Sequence, residues 1–162
     1  MITEDNLQLL FRYAYTISCN EQDAYDLLQS AVEKYLTLSK SVDNKIAYLK
    51  RTIKNKHIDN LRHENKFKFD SYDDTVVCLN ESINDLESLI INEDMAEQIL
   101  FSLNPDEREI IFYWAYEGYT AQQISDILEL PRGTILSKLH RIKARLNKQF
   151  DIDTHRSLEA SQ

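Results

Sequence analysis

Only two glycines and two prolines occur in 162 residues, and all four (Pro105, Gly118, Pro131 and Gly133) lie beyond residue 104. Residues 1–103 contain neither. Strands must be joined by tight turns, and tight turns draw on residues that tolerate positive φ or hold a fixed one. A chain with so few of them is a poor source of sheets, so an all-α fold is expected. The length allows one ordinary domain or two small ones, and a hydrophobic content of 43% is enough for packed cores. Cys19 and Cys78 stand far apart with no C-x-x-C or metal-ligand spacing, which reads as two reduced thiols in a cytoplasmic protein. Nothing resembles a signal peptide, and no apolar run approaches the roughly 20 residues of a membrane helix.

A net charge of −8 argues against a nucleic-acid partner only if it is spread evenly, and it is not. Residues 1–33 carry −5, residues 34–68 carry +7, and residues 69–107 carry −11 with no base. Residues 108–129 carry −3, residues 130–149 carry +6 with no acid, and residues 150–162 carry −2. Two basic segments are thus separated by an acidic one, and a partner meets these local fields rather than their average. The acidic stretch reads as a solvated linker, with repulsion of DNA in the free protein as its functional alternative.

Hydrophobic periodicity predicts a first helix over about residues 3–18, with Leu7, Leu10, Phe11, Ala14 and Ile17 on one face. A second is predicted over about 21–38, where Ala24, Leu28, Ala31 and Tyr35 form a stripe opposite Asp23, Asp26, Ser30 and Glu33. In a third, over about 43–64, Ile46, Leu49 and Ile53 point inward while Tyr48, Arg51, Asn55, Asp59 and Arg62 share the reverse face. Helical periodicity fades over 65–84, and a fourth helix is expected from about 85 to 101. The domain reading is a helical domain over 1–66, an acidic linker over 67–92, a helix-turn-helix domain over 93–150 and a tail over 151–162.

Residues 104–149 are the most clearly punctuated. Asn104 fits an N-cap with Pro105 at N1 and Glu107 at N3, and Thr120 with Gln123 forms a second capping box. Gly118 suits a left-handed helix end. Ile124, Ile127 and Leu128 are expected to face inward. After a turn through Glu129 and Leu130, Pro131 and Gly133 open the last helix, where Ile135, Leu139, Ile142 and Leu146 make one stripe. Thr134, Ser137, Arg141 and Lys148 project the other way, with Lys138, His140 and Arg145 on the flanks. A basic helix presented by a tri-helical unit is the layout of a helix-turn-helix reader of a DNA groove.

These residues resemble a known family. Leu103–Arg108, Glu117–Gly118, Ile124–Leu128, Pro131–Ser137 and Arg141–Leu146 are similar to region 4 of the bacterial sigma factors, and Asp23–Gln29 and Ala47–Arg62 to region 2. The two in this order resemble the extracytoplasmic-function (ECF) group of the sigma-70 family. The resemblance implies two small helical domains joined by an acidic linker, binding to core RNA polymerase, and promoter recognition that starts transcription. It implies that Arg132, Thr134, Ser137, Lys138, His140, Arg141, Arg145 and Lys148 meet the upstream promoter element as duplex. Arg141 suits a base edge, because arginine pairs bidentately with guanine, while Lys138, Arg145 and Lys148 suit phosphates. With about five or six phosphates neutralised, the log–log salt slope of binding would be roughly −5. By the same resemblance Tyr48, Arg51, Lys54, Asn55, Asp59 and Arg62 meet the melted strand of the downstream element, a task for positive charge, stacking and amide hydrogen bonds. Asp23, Asp26, Leu27 and Gln29 would meet polymerase. An anti-sigma factor is a further partner that the resemblance brings with it.

The chain departs from the family pattern at Glu129, which replaces a turn glycine, and at Leu136, where a basic residue is common. Trp114, with Tyr113 and Tyr116, stands at a usually basic position and reads as core or as partner surface. Asp59 has the spacing of a plain helix-surface pair with Arg62, and His57 and His63 read as surface residues. No phosphate loop, nucleophile elbow or metal cluster is present in the sequence, so neither an enzyme nor a cofactor is expected. The competing readings are a polymerase-independent helix-turn-helix regulator and a sigma-like protein-interaction module. The strand-capture pattern over Ala47–Arg62 separates the first of these from a sigma factor, since a simple regulator has no use for it.

Overall fold

The computed structural model describes residues 2–63 and 93–150, and these fold as helices and turns with no strand among them. The chain divides into two compact units, Met1–Asp73 and Asp74–Gln162. The linker expected over 67–92, the first part of the expected fourth helix and the tail over 151–162 lie outside the described residues.

In the first unit, α1 (Glu4–Ser18), α2 (Glu21–Leu36) and α3 (Lys45–His63) each pack on the other two. Each begins on a side-chain cap that satisfies an N–H lacking an intrahelical acceptor. The Thr3 hydroxyl accepts from the Asn6 N–H at 3.4 Å, and the Asn20 and Asn44 amide oxygens accept from the N–H groups of Asp23 and Ala47 at 3.0 Å. The chain reverses between α1 and α2 through Cys19, at φ 52°, and Asn20. Leu10, Tyr13, Ala14 and Ile17 of α1 meet Ala24, Leu27 and Ala31 of α2 and Leu49 and Ile53 of α3, all at 2% exposure or less.

Three expectations shift here. Tyr13 enters the core while Leu7 is 37% exposed, so the buried face of α1 is turned from the expected one. On α2, Leu27 rather than Leu28 completes the stripe of Ala24 and Ala31. At 1% exposure Leu27 stabilises the unit and is out of reach of any partner. On α3, His57 is buried, because it continues the Leu49–Ile53 stripe at i+4, whereas His63 is exposed. Lys50 is also buried, its Nζ 5.7 Å from the centre of the Tyr13 ring, a cation–π distance.

The second unit contains α4 (Glu93–Ser102), α5 (Pro105–Ile111), a π turn (Phe112–Tyr116), α6 (Ala121–Leu128) and α7 (Arg132–Phe150). Both capping boxes form: Asn104 with Glu107 on α5, and Thr120 with Gln123 on α6. The π turn, which the periodicity does not foretell, runs directly on from α5 and widens the helix by one residue, so that the Glu117 N–H reaches the Phe112 carbonyl at 3.1 Å. Its rings pack on one another and on the residue beyond Gly118: Phe112 stacks on Tyr116 with centroids 5.0 Å apart, and Tyr113 on Tyr119 at 5.8 Å. Gly118 then takes the left-handed conformation at φ 69°, which glycine adopts without a Cβ clash. The α7 stripe is buried as expected, Ile135, Leu139, Ile142 and Leu146 all at 2% exposure or less. Each such side chain contributes roughly 1.5–3 kcal/mol on leaving water.

Candidate nucleic-acid interface

The turn between α6 and α7 fixes how the last helix is presented. Glu129 takes φ 56° and ψ 36°, left-handed as the family's turn glycine would be, and its N–H reaches the Ser125 carbonyl. The Ser125 hydroxyl donates to the Leu130 carbonyl, and the Leu130 N–H returns to the Ser125 carbonyl at 3.2 Å. The Pro131 carbonyl then accepts the Thr134 and Ile135 N–H groups at 2.9 and 3.2 Å and starts α7. Ile124 is fully buried at this junction, but Ile127, expected inside, is 44% exposed.

With its apolar stripe inside, α7 turns Arg132, Arg141 and Lys148 to solvent, and Thr134, Ser137, Lys138 and His140 are half-buried beside them. The Ser137 hydroxyl donates to the Gly133 carbonyl at 2.8 Å, which leaves its oxygen to accept from outside. Leu136 is half-buried on the flank. Arg145 departs from this group: its Nη2 lies 2.6 Å from Glu107 Oε2, directed into the unit rather than away from it.

On α3, Arg51, Asn55, Asp59 and Arg62 are exposed, with Tyr48 and Lys54 half-buried. The Tyr48 ring packs near Tyr35, centroids 6.3 Å apart, which braces it against α2. Asp59 forms the expected surface pair with Arg62 at 3.6 Å, both side chains at least 60% exposed. On α2, Asp23, Asp26 and Gln29 are exposed opposite the core, Asp26 accepting from Gln22 at 3.2 Å and Gln29 donating to Glu33 at 2.9 Å. Among the described residues no group of three or more His, Cys, Asp or Glu side chains is placed to hold a metal, and no helix is long and apolar enough to cross a membrane.

Two family matches fall on these two units. Residues 2–67 match Sigma-70 region 2, and residues 94–146 match Sigma-70, region 4. The chain belongs to the sigma-70 family. It is similar in fold to a chain of the co-crystal structure of the sigma factor RpoE in complex with the anti-sigma factor NepR from Bartonella quintana. That likeness has a TM-score of 0.60 and 22% identity, and covers 91% of this chain and 93% of that one. Region 2 followed by region 4 is the organisation of the ECF group, and the function is that of a sigma factor: binding core RNA polymerase and directing promoter recognition. In this sigma factor α3 and α2 lie in region 2, and the helix-turn-helix of α6 and α7 lies in region 4.

Some of what shapes region 4 has no signal in local sequence. Glu107 and Arg145 meet across 38 residues, so spacing rules do not pair them. Tyr119 donates to Glu117, and that bond, with burial and the carboxylate's charge, raises the phenol above its ordinary 10.0. Trp114 is half-buried, so it divides between the two readings that the sequence left open.

Proposed function

We propose that this sigma factor holds the upstream promoter element with the outer face of α7, namely Arg132, Thr134, Ser137, Lys138, His140, Arg141 and Lys148. Arg141 reads a base edge, and Arg132, Lys138 and Lys148 hold phosphates. The opened strand of the downstream element lies along α3, where Tyr48 offers a ring, Asn55 an amide, and Arg51 and Lys54 charge. Arg62 adds less, since Asp59 offsets its charge. Asp23, Asp26 and Gln29 of α2 meet polymerase. With these assignments the proposed domains are region 2 over 1–66, an acidic linker over 67–92, region 4 over 93–150 and a tail over 151–162. The protein acts in the cytoplasm, catalyses no reaction of its own and needs no cofactor. An anti-sigma factor is its natural regulator, as NepR is the partner in the RpoE complex.

The observation that carries this reading is the division of α7 into a fully buried apolar stripe and an outer surface without an acid between residues 130 and 149. The test is initiation by core polymerase reconstituted with this chain on genomic fragments. Specific start sites are expected, and Arg141→Ala should reduce promoter affinity by about tenfold or more while binding to polymerase is unchanged. Tight, specific duplex binding without polymerase, combined with no initiation in its presence, would instead make the chain an independent regulator.

A further inference from the structure

Arg145 has the sequence context of a DNA contact and the surroundings of a packing residue. Its Nη2 donates to Glu107 Oε2 at 2.6 Å, and the same oxygen accepts the Asn104 N–H at 3.1 Å, closing the capping box of α5. The Glu107 side chain is only 10% exposed and the Arg145 side chain 38%. Arg145 Nε is buried as well. Beside the pair, Ile142 and Leu146 of α7 pack on Ile99 and Leu103, with Ile111 against them. The Arg108 Nε donates to the Leu100 carbonyl at 2.7 Å and ties α5 back to the end of α4. A charge-assisted bond therefore joins the start of α5 to α7 one turn beyond Arg141.

We propose that Arg145 is a positioning residue and not a phosphate contact: paired with Glu107, it sets the rotation of α7 about its own axis and so the direction in which Arg141 points. This rests on the reading of α7 as the upstream-element helix. Swinging the guanidinium out to a phosphate would strand the buried Glu107 carboxylate without its cation, the costly half of breaking a buried pair. Arg141 and Arg145 stand at i and i+4 on adjoining parts of one face, so a helix free to rotate at Arg145 misdirects Arg141 first. The capping box couples the two ends, because the oxygen that holds Arg145 also fixes where α5 begins.

The test is a double-mutant cycle with Glu107→Gln, which keeps an oxygen for the cap and removes the charge. Holoenzymes carrying wild type, R145Q, E107Q or both are compared for affinity across a salt series, well below each protein's melting temperature. The DNA is a promoter fragment that the wild-type holoenzyme selects from genomic DNA. R145Q should weaken binding about tenfold alone but less than about threefold in the E107Q background, with the salt slope unchanged. A slope shallower by about 0.9 would mark a phosphate contact and overturn the proposal. Equal losses in both backgrounds would place Arg145 outside the pair, and a lowered melting temperature with unaltered affinity would leave it no positioning role; either outcome also overturns it. Should R145Q fail to fold, R145K keeps a cation able to hold a phosphate but loses the planar fork, so weakened binding at unchanged slope is expected, and affinity equal to wild type would mark a phosphate contact and overturn the proposal. A wild-type holoenzyme that selects no fragment rejects the functional reading instead. The pair is then judged by unfolding of the chain alone, where additive losses from R145Q and E107Q overturn it.

Discussion

Glu129→Gly should stabilise region 4, and two separable effects set the size of the gain. Glu129 is an exposed non-glycine residue at φ 56°, and a left-handed L-residue costs roughly 1–2 kcal/mol. Glycine removes that cost but widens the unfolded ensemble by about 0.4–1 kcal/mol, leaving a net gain near 0.5–1 kcal/mol. The same carboxylate sits at the C-terminal end of α6, where the helix dipole disfavours an anion by about 0.3–1 kcal/mol at low salt. Together these give on the order of 1–1.5 kcal/mol, or about 5–10 °C in the melting temperature of a unit this small. Gly118, at φ 69° in the same unit, shows the residue the chain uses where no such cost is carried.

Thermal unfolding followed by circular dichroism measures the sum, and Glu129→Lys divides it. Lysine keeps the left-handed strain and reverses the charge, so it should gain only at low ionic strength and lose that gain near 1 M salt, where the screening length is about 3 Å. The glycine variant should retain most of its gain there. A glycine variant no more stable than wild type, or one whose whole gain disappears with salt, would refute the assignment of strain to Glu129.

Leu27→Ala should cost region 2 about 2–5 kcal/mol in urea unfolding, as expected for a fully buried leucine. Asp26→Ala on the exposed side of the same helix should change stability by no more than about 0.5 kcal/mol and weaken capture by polymerase in a pull-down. The raised phenol of Tyr119 binds its proton more tightly in the folded protein. Its contribution is therefore complete below the unfolded pKa and is lost as pH rises through the folded one. In alkaline titration of tyrosine absorbance, the difference between wild type and Tyr119→Phe should be a phenol that ionises above pH 10.0, and stability should fall more steeply with pH in the wild type.

What the sequence discloses follows from how far each interaction reaches along it. The caps at Asn104 and Thr120 are legible because donor and acceptor lie three residues apart. The α7 stripe is legible because four large aliphatics repeat at helical spacing with polar residues between them. On α2 the choice between Leu27 and Leu28 is harder, since both flank the Ala24–Ala31 line and only the approach of α1 and α3 decides which is buried. Ile127 misleads for a related reason: α6 is only eight residues long, and burial of Ile124 leaves Ile127 at the rim. The π turn over Phe112–Tyr116 answers to ring packing, for which no local rule exists. Arg145 is the sharpest case, because a basic residue on a basic helix gives no sign that its partner is Glu107.

The placement of charge also bears on why such a chain works through polymerase. With Arg145 paired to Glu107, the cations of α7 proposed to hold phosphates are Arg132, Lys138 and Lys148. Three contacts imply a salt slope of roughly −2.7 in place of the −5 expected from the helix charge alone. Over a fourfold rise in salt, that slope lowers affinity by roughly fortyfold. Under the proposed function, repulsion by the −11 carried by residues 69–107 would act in the same direction, as part of a chain whose total is −8. Under the proposed function, polymerase engaged at the α2 surface would supply the remaining hold on promoter DNA. A recognition helix with few phosphate contacts suits that arrangement, since one able to hold DNA unaided would carry the chain to promoters without the enzyme it serves.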